Sequence, residues 1–196
     1  STRGVVPACR SLDCVSIFAL TCADAAAVAT IAEAFDPADP FSRDRPVAQA
    51  SRLPSPSPLR IGIPAPRDRE FFGDPEAERL FAESLARITA LGATLVEIDF
   101  APFRETAALL YQGPWVAERW AALRKFHAQH ADAFFPDTRK IVEGANALSA
   151  ADTFEGFYRL AALQRRAAAE WEKMDVLLLP TAPRAYTVAE VAAEPL

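Results

Sequence analysis

The chain has 196 residues, 51 % of them hydrophobic, and a net charge of −5. This length supports a domain with a real core, yet no apolar run approaches a membrane span and no basic segment leads into an apolar one as in a secretory signal. The acidic balance argues against a nucleic-acid surface: arginines gather between Arg43 and Arg69, but Asp44, Asp68 and Glu70 are interspersed, the pattern of a solvated linker rather than a phosphate groove.

Val5-Val6 after Gly4 reads as a short strand end closed by Pro7. Ser11 to Leu20 is largely apolar. Thr21-Cys22-Ala23-Asp24 then has the spacing of a capping box, and Ala25, Val28, Ile31, Ala32 and Phe35 form the inner face of the helix that follows. Asp36-Pro37-Ala38-Asp39-Pro40 stops it. Six prolines fall between Asp36 and Pro58, with serine and arginine among them, so residues 36–58 read as a proline-rich surface loop.

Leu59 to Ile63 is a short strand. Asp74-Pro75-Glu76 supplies a cap, a first-turn proline and an acid at the positive end of the helix dipole. Leu80, Phe81, Leu85, Ile88 and Leu91 carry that helix's apolar stripe, and Gly92 caps its end. Thr94 to Ile98 is the next strand, which makes a parallel βαβ unit. Phe103 to Leu110 is a short helix. Phe134-Phe135-Pro136 marks a turn, and residues from Ile141 to Ala147 are helical. Ser149 to Asp152 forms a second capping box ahead of a long helix with Leu160, Leu163, Ala167, Trp171 and Met174 on one face. Asp175 to Pro180 is a buried strand cut off by proline. The fold class is α/β, and the strands at Leu59–Ile63 and Leu177–Leu179 are expected to expose apolar surface that further strands would cover.

The stretch from Leu110 to Trp120 says most about function. Gly113-Pro114 breaks one helix and starts another, in which Val116, Trp120 and Leu123 repeat along a face. Arg119 lies beside that face, and its neighbours three and four residues away are Trp115, Val116, Ala122 and Leu123, all apolar. No carboxylate at those positions can pair with it. Such a guanidinium snorkels to solvent, pairs with an acid from another segment, or holds an anionic ligand. Tyr111, just before the break, offers a hydroxyl to the same place.

Other chemistry is sparse. Cys9, Cys14 and Cys22 are an odd set in a short window, which fits a reducing cytoplasm better than a disulfide framework. His127 and His130 lie three apart on one helix with no third ligand nearby, so no metal is expected and both read as helix surface or rim. There is no Gly-x-Ser-x-Gly elbow and no glycine-rich phosphate loop. Lys125, Lys140 and Lys173 all sit among polar helical residues.

Residues Ser1 to Ser16, STRGVVPACRSLDCVS, resemble the segment that follows the nucleophile region of amidase signature enzymes, and DVLLLPTAP at 175–183 resembles a late core strand of that family. DPADPFSR at 36–43, Phe71-Phe72-Gly73-Asp74 and the stretch from Tyr111 through Arg119 narrow the resemblance to allophanate hydrolases. It implies a partial amidase-signature fold, a mixed β-sheet core covered by helices, and one partial domain over residues 1–196 drawn from the middle to late part of the family's domain. It implies an amide hydrolase that turns allophanate into ammonia and carbon dioxide without metal or cofactor. The family's Ser-Ser-Lys triad would then lie upstream of Ser1, leaving the chain as given inactive, and the intact protein would be a homodimer. Family members hold the substrate with a tyrosine and an arginine eight positions later, which match Tyr111 and Arg119. A small anionic amide is the implied partner, with neither nucleic acid nor membrane. A related amidase with another small substrate, or a non-catalytic binding or assembly protein, are the other readings.

Overall fold

A computed structural model describes residues 1–44 and 58–195, so most of the proline-rich stretch, residues 45–57, lies outside the described residues. The contacts divide into two compact units, one of Ser1–Leu53 with Trp115–Ala147 and one of Pro54–Pro114 with Leu148–Leu196.

In the first unit, residues 1–20 contain no strand. Val5, expected at a strand end, sits in a turn: Gly4 has a left-handed φ of 84° and the Val5 N–H donates to the Thr2 carbonyl at 3.1 Å. The Thr21 hydroxyl caps α1 (Cys22–Ala32) by accepting the Asp24 N–H, as the spacing predicts, but α1 buries no residue. Val28 and Ile31, expected on an inner face, are 50 % and 81 % exposed. Periodicity marks an apolar face; it does not say that the unit covers it. The described start of the proline-rich stretch is not all surface. Asp39 is buried because its carboxylate accepts the N–H groups of Thr2 at 2.9 Å and Phe41 at 3.0 Å. The core of this unit lies between α4 (Trp115–His130), α5 (Pro136–Glu143) and the 3-10 turn Gly144–Ala147, where Trp115, Val116, Val142 and Ala145 are buried. The α5 helix starts at Pro136, ahead of the predicted Ile141, because proline suits the first helical position.

The second unit is built on a parallel sheet in the order β2-β1-β3, from β1 (Arg60–Pro64), β2 (Thr94–Ile98) and β3 (Val176–Leu177). Every described pairing is parallel, with Arg60 opposite Thr94 and Ile61 opposite Val176. The β1 strand is central, so Ile61 and Ile63 are buried rather than exposed as expected. The strand expected over 175–180 pairs only at Val176 and Leu177. Val176 is 44 % and Leu179 39 % exposed, since β3 is an edge of the described sheet and Pro180 has no N–H for a ladder.

Asp74 caps α2 (Pro75–Ala90), its Oδ1 accepting the N–H groups of Glu76 and Ala77 at 3.0 Å, and Gly92 follows with a φ of 93°. Of the expected α2 stripe only Phe81 is buried; Leu80 and Leu91 are exposed, because the helix meets β2 along a narrow line. The capping box at Ser149 opens α6 (Ala150–Trp171), which packs on α3 (Ala101–Gln112) and buries Gly156, Leu163 and Glu170. Trp171 and Met174, expected on one inner face, separate: Met174 is buried and Trp171 is 45 % exposed. A short α7 (Val188–Ala193) follows, with its own capping box at Thr187. Among the described residues no helix is long and apolar enough to cross a membrane.

Candidate functional site

Tyr111 stands on the last turn of α3 and is 60 % exposed. Two contacts fix the break after it. A Cβ at Gly113 would come within 2.6 Å of the Leu109 carbonyl oxygen, so only glycine fits there. Pro114 packs against Gly156 of α6, whose missing side chain leaves room for the ring. The break is therefore held in place by α6 as well as by its own sequence.

Arg119 lies in the first turns of α4, half-buried. Its Nε–H donates to the Ala8 carbonyl at 3.0 Å. Ala8 belongs to a turn built around Asp13, whose carboxylate accepts the N–H of Ala8 at 3.0 Å and of Cys9 at 2.9 Å. Glu118 binds the same segment, accepting from the N–H and the hydroxyl of Ser11, both at 2.7 Å. The Cys9 Sγ lies 3.7 Å from the Trp115 carbonyl oxygen. Burial pushes the Cys9 thiol up, and the charge and hydrogen bond of Arg119 oppose that shift. The guanidinium of Arg119 is thus oriented by a backbone carbonyl from residues over a hundred positions away, which no local spacing could reveal. Tyr111 belongs to the second unit and Arg119 to the first.

His127 is not on the rim. Its ring is largely buried, with Trp120 at 5.1 Å and Phe134 at 5.5 Å between centroids, and Nε2 lies 2.8 Å from Glu143 Oε1. Arg139 Nε reaches the same oxygen at 2.8 Å. Arg139 first, then His127, hold the Glu143 carboxyl below its usual range. His130 is exposed, as expected. Among the described residues no three His, Cys, Asp or Glu side chains converge to hold a metal ion.

A cavity lined by neither Tyr111 nor Arg119 lies among residues that spacing alone does not single out. Arg67 and Arg69, which composition places in a solvated linker, help to line a space of about 420 Å³ at the carboxyl end of β1, together with Asp68, Phe71, Phe81 and Arg104. The signal was the Phe71-Phe72-Gly73 run, whose residues 72 and 73 both have positive φ, 47° and 75°.

Comparison with known proteins supplies the family. The Amidase family model matches residues 1–194. The urea amidolyase of Saccharomyces cerevisiae is 36 % identical over 199 residues, which take in 100 % of this chain and 11 % of that protein. An amidase of Pseudomonas putida is 32 % identical over 185 residues, 92 % of this chain and 39 % of its own length. The solved structure of Kluyveromyces lactis allophanate hydrolase superposes with a TM-score of 0.87 at 36 % identity, covering 100 % of this chain and 32 % of that one. The chain thus spans well under half the length of each of these relatives. Matched along almost its whole length by one family model, and in sequence and fold by these proteins, the chain belongs to the amidase family.

Proposed function

We propose that the chain is the substrate-holding part of an amide hydrolase whose substrate is allophanate, with Arg119 taking the substrate carboxylate and Tyr111 adding a hydroxyl contact. The observation that supports it most is the likeness to an allophanate hydrolase over the full chain at a TM-score of 0.87. Chemistry agrees, because a planar carboxylate suits the two-pronged guanidinium fork better than a point charge. The Ala8 carbonyl on Nε fixes the plane of that fork in advance, so less side-chain freedom is lost when an anion arrives.

In this reading the nucleophilic serine, its partner serine and the lysine are supplied ahead of Ser1, and residues 1–196 bind rather than attack. The reaction needs no metal or cofactor, the intact protein is a cytoplasmic homodimer, and residues 1–196 form one part of its amidase domain. Ammonia release from allophanate by the full-length gene product tests the assignment. Turnover is the expected result. Release from simple uncharged amides alone would assign the protein to another amidase specificity, and release from neither would make it a binding or assembly protein.

A further inference from the structure

The turn from Ala8 to Asp13 is closed from both ends. The Cys9 carbonyl accepts the N–H groups of Leu12 and Asp13, both at 2.8 Å. The Asp13 carboxylate reaches back and accepts from the other end, the Cys9 N–H on Oδ1 at 2.9 Å and the Ala8 N–H on Oδ2 at 3.0 Å. Arg10, Ser11 and Leu12 between them are exposed, so these bonds rather than apolar packing give the turn its shape.

The turn docks on the start of α4. The buried Cys9 thiol lies 3.7 Å from the Trp115 carbonyl oxygen. The Glu118 carboxylate accepts from the N–H and the hydroxyl of Ser11, each at 2.7 Å. The Arg119 Nε–H meets the Ala8 carbonyl at 3.0 Å.

Peptide geometry joins that last contact to Asp13. The Ala8 carbonyl and the Cys9 N–H are two sides of one planar peptide unit. Asp13 Oδ1 holds the N–H side, and in doing so it sets the direction of the carbonyl side, toward Arg119. The guanidinium is planar and Nε lies in its plane, so a bond at Nε limits how that plane can turn. The carboxylate form of Asp13 matters too. It offers one oxygen to each N–H, whereas an amide of the same shape offers one oxygen and one NH₂ group.

We infer that Asp13 is a positioning residue for an anionic substrate: through the Ala8–Cys9 peptide it aims the Arg119 guanidinium at the substrate carboxylate. A fork whose plane is set in advance loses less freedom when it meets a planar anion. Glu118 anchors the far side of the same turn to the helix that carries Arg119. The inference rests on Arg119 as the carboxylate-binding residue proposed above, and it adds the residue that sets that arginine's geometry.

Steady-state ammonia release from allophanate by the full-length protein tests it in two backgrounds. Asp13→Asn should raise KM about tenfold and leave kcat within about twofold, because it disturbs binding of the carboxylate and not bond breaking. In an Arg119→Lys background there is no guanidinium plane to aim, and the same change should raise KM by less than about twofold. An equal rise in both backgrounds means that Asp13 only supports the fold, and it overturns the inference. An unchanged KM, or a loss carried in kcat, overturns it as well. If Asp13→Asn does not fold, Glu118→Gln decides, since it weakens the hold on Ser11 and leaves Asp13 in place. Its KM should rise about threefold beside Arg119 and stay unchanged beside Lys at that position; no rise beside Arg119 overturns the inference. Failure of the underlying reading looks different: the unmodified protein then releases no ammonia from allophanate, or Arg119→Lys alone leaves KM unchanged, and the inference falls with it.

Discussion

Arg60 and Asp175 clasp the starts of β1 and β3. Arg60 Nη2 lies 2.7 Å from Asp175 Oδ1, while Arg60 Nε and its backbone N–H donate to Oδ2 at 3.2 Å and 2.8 Å. The Asp175 N–H returns to the Arg60 carbonyl at 2.8 Å. The clasp sets the register of the shortest strand, which has only two paired residues of its own.

The hydrogen bonds from Arg60 hold the Asp175 carboxyl below its usual range. A folded-state pKa below the unfolded one contributes stability that is present above the unfolded value and is lost as pH falls through the folded value. Asp175→Asn should therefore lower the melting temperature at neutral pH and flatten its decline on the acid side. Thermal melts of both proteins from neutral pH into the carboxylate range check this, and parallel declines would refute it.

If the proposed allophanate reading holds, Arg119→Ala in the full-length protein should lower kcat/KM on allophanate by about 2–5 kcal/mol in transition-state binding, the range for truncating one partner of a buried charge pair. Arg119→Lys should restore part of the loss, since an ammonium keeps the charge without the fork. Tyr111→Phe should cost less, about 0.5–3 kcal/mol according to whether the lost hydroxyl met a charge. The discriminating measurement is kcat/KM on an uncharged amide, which offers no carboxylate to lose. If Arg119→Ala lowers both substrates equally, the arginine acts only by holding Ala8 and its turn.

Gly156→Ala sets two effects against each other. Alanine is the better helix former by about 1 kcal/mol. Its Cβ would overlap Cγ and Cδ of Pro114, a rigid ring that is itself buried. Overpacking of this kind costs about 1–3 kcal/mol, so the variant should be destabilised despite its propensity. Urea unfolding of Gly156→Ala measures the balance, and a stabilised variant would show that the Pro114 ring gives way freely.

The three cysteines should differ in reactivity. Cys14 and Cys22 are exposed, whereas Cys9 is buried and its thiol is pushed up by that burial. Brief treatment of the native protein with iodoacetamide should label Cys14 and Cys22 and spare Cys9 until denaturant is added. Peptide mass spectrometry reads the outcome, and early labelling of Cys9 would contradict its burial.

What the sequence made legible was local chemistry. Asp74-Pro75, the box from Ser149 to Asp152 and Gly92 each act within a few residues, and the structure places a helix boundary at each. The strand from Thr94 to Ile98 also appears with those bounds. Burial was less legible, because it depends on what arrives from elsewhere in the chain. The apolar faces of α1 and of the α2 stripe read alike, yet the first buries nothing and the second only Phe81. The same limit governs the site. Spacing isolated Arg119 from acids three and four residues away, but its Ala8 contact joins residues 111 positions apart. The pairing of Arg119 with Tyr111 came from family resemblance, and the proline- and arginine-rich composition around Arg67 concealed a cavity behind the pattern of a linker.

The seat of Pro114 on Gly156 constrains length as well as composition. In a helix each added residue turns the chain by roughly 100°, so one residue inserted or deleted between Leu109 and Gly113 would swing Pro114 away from its notch in α6. Conservative substitutions along the last turn of α3 leave that phase intact; a single-residue gap does not. Among natural variants of this chain, the segment from Leu109 to Pro114 should therefore tolerate changes of letter more readily than changes of count.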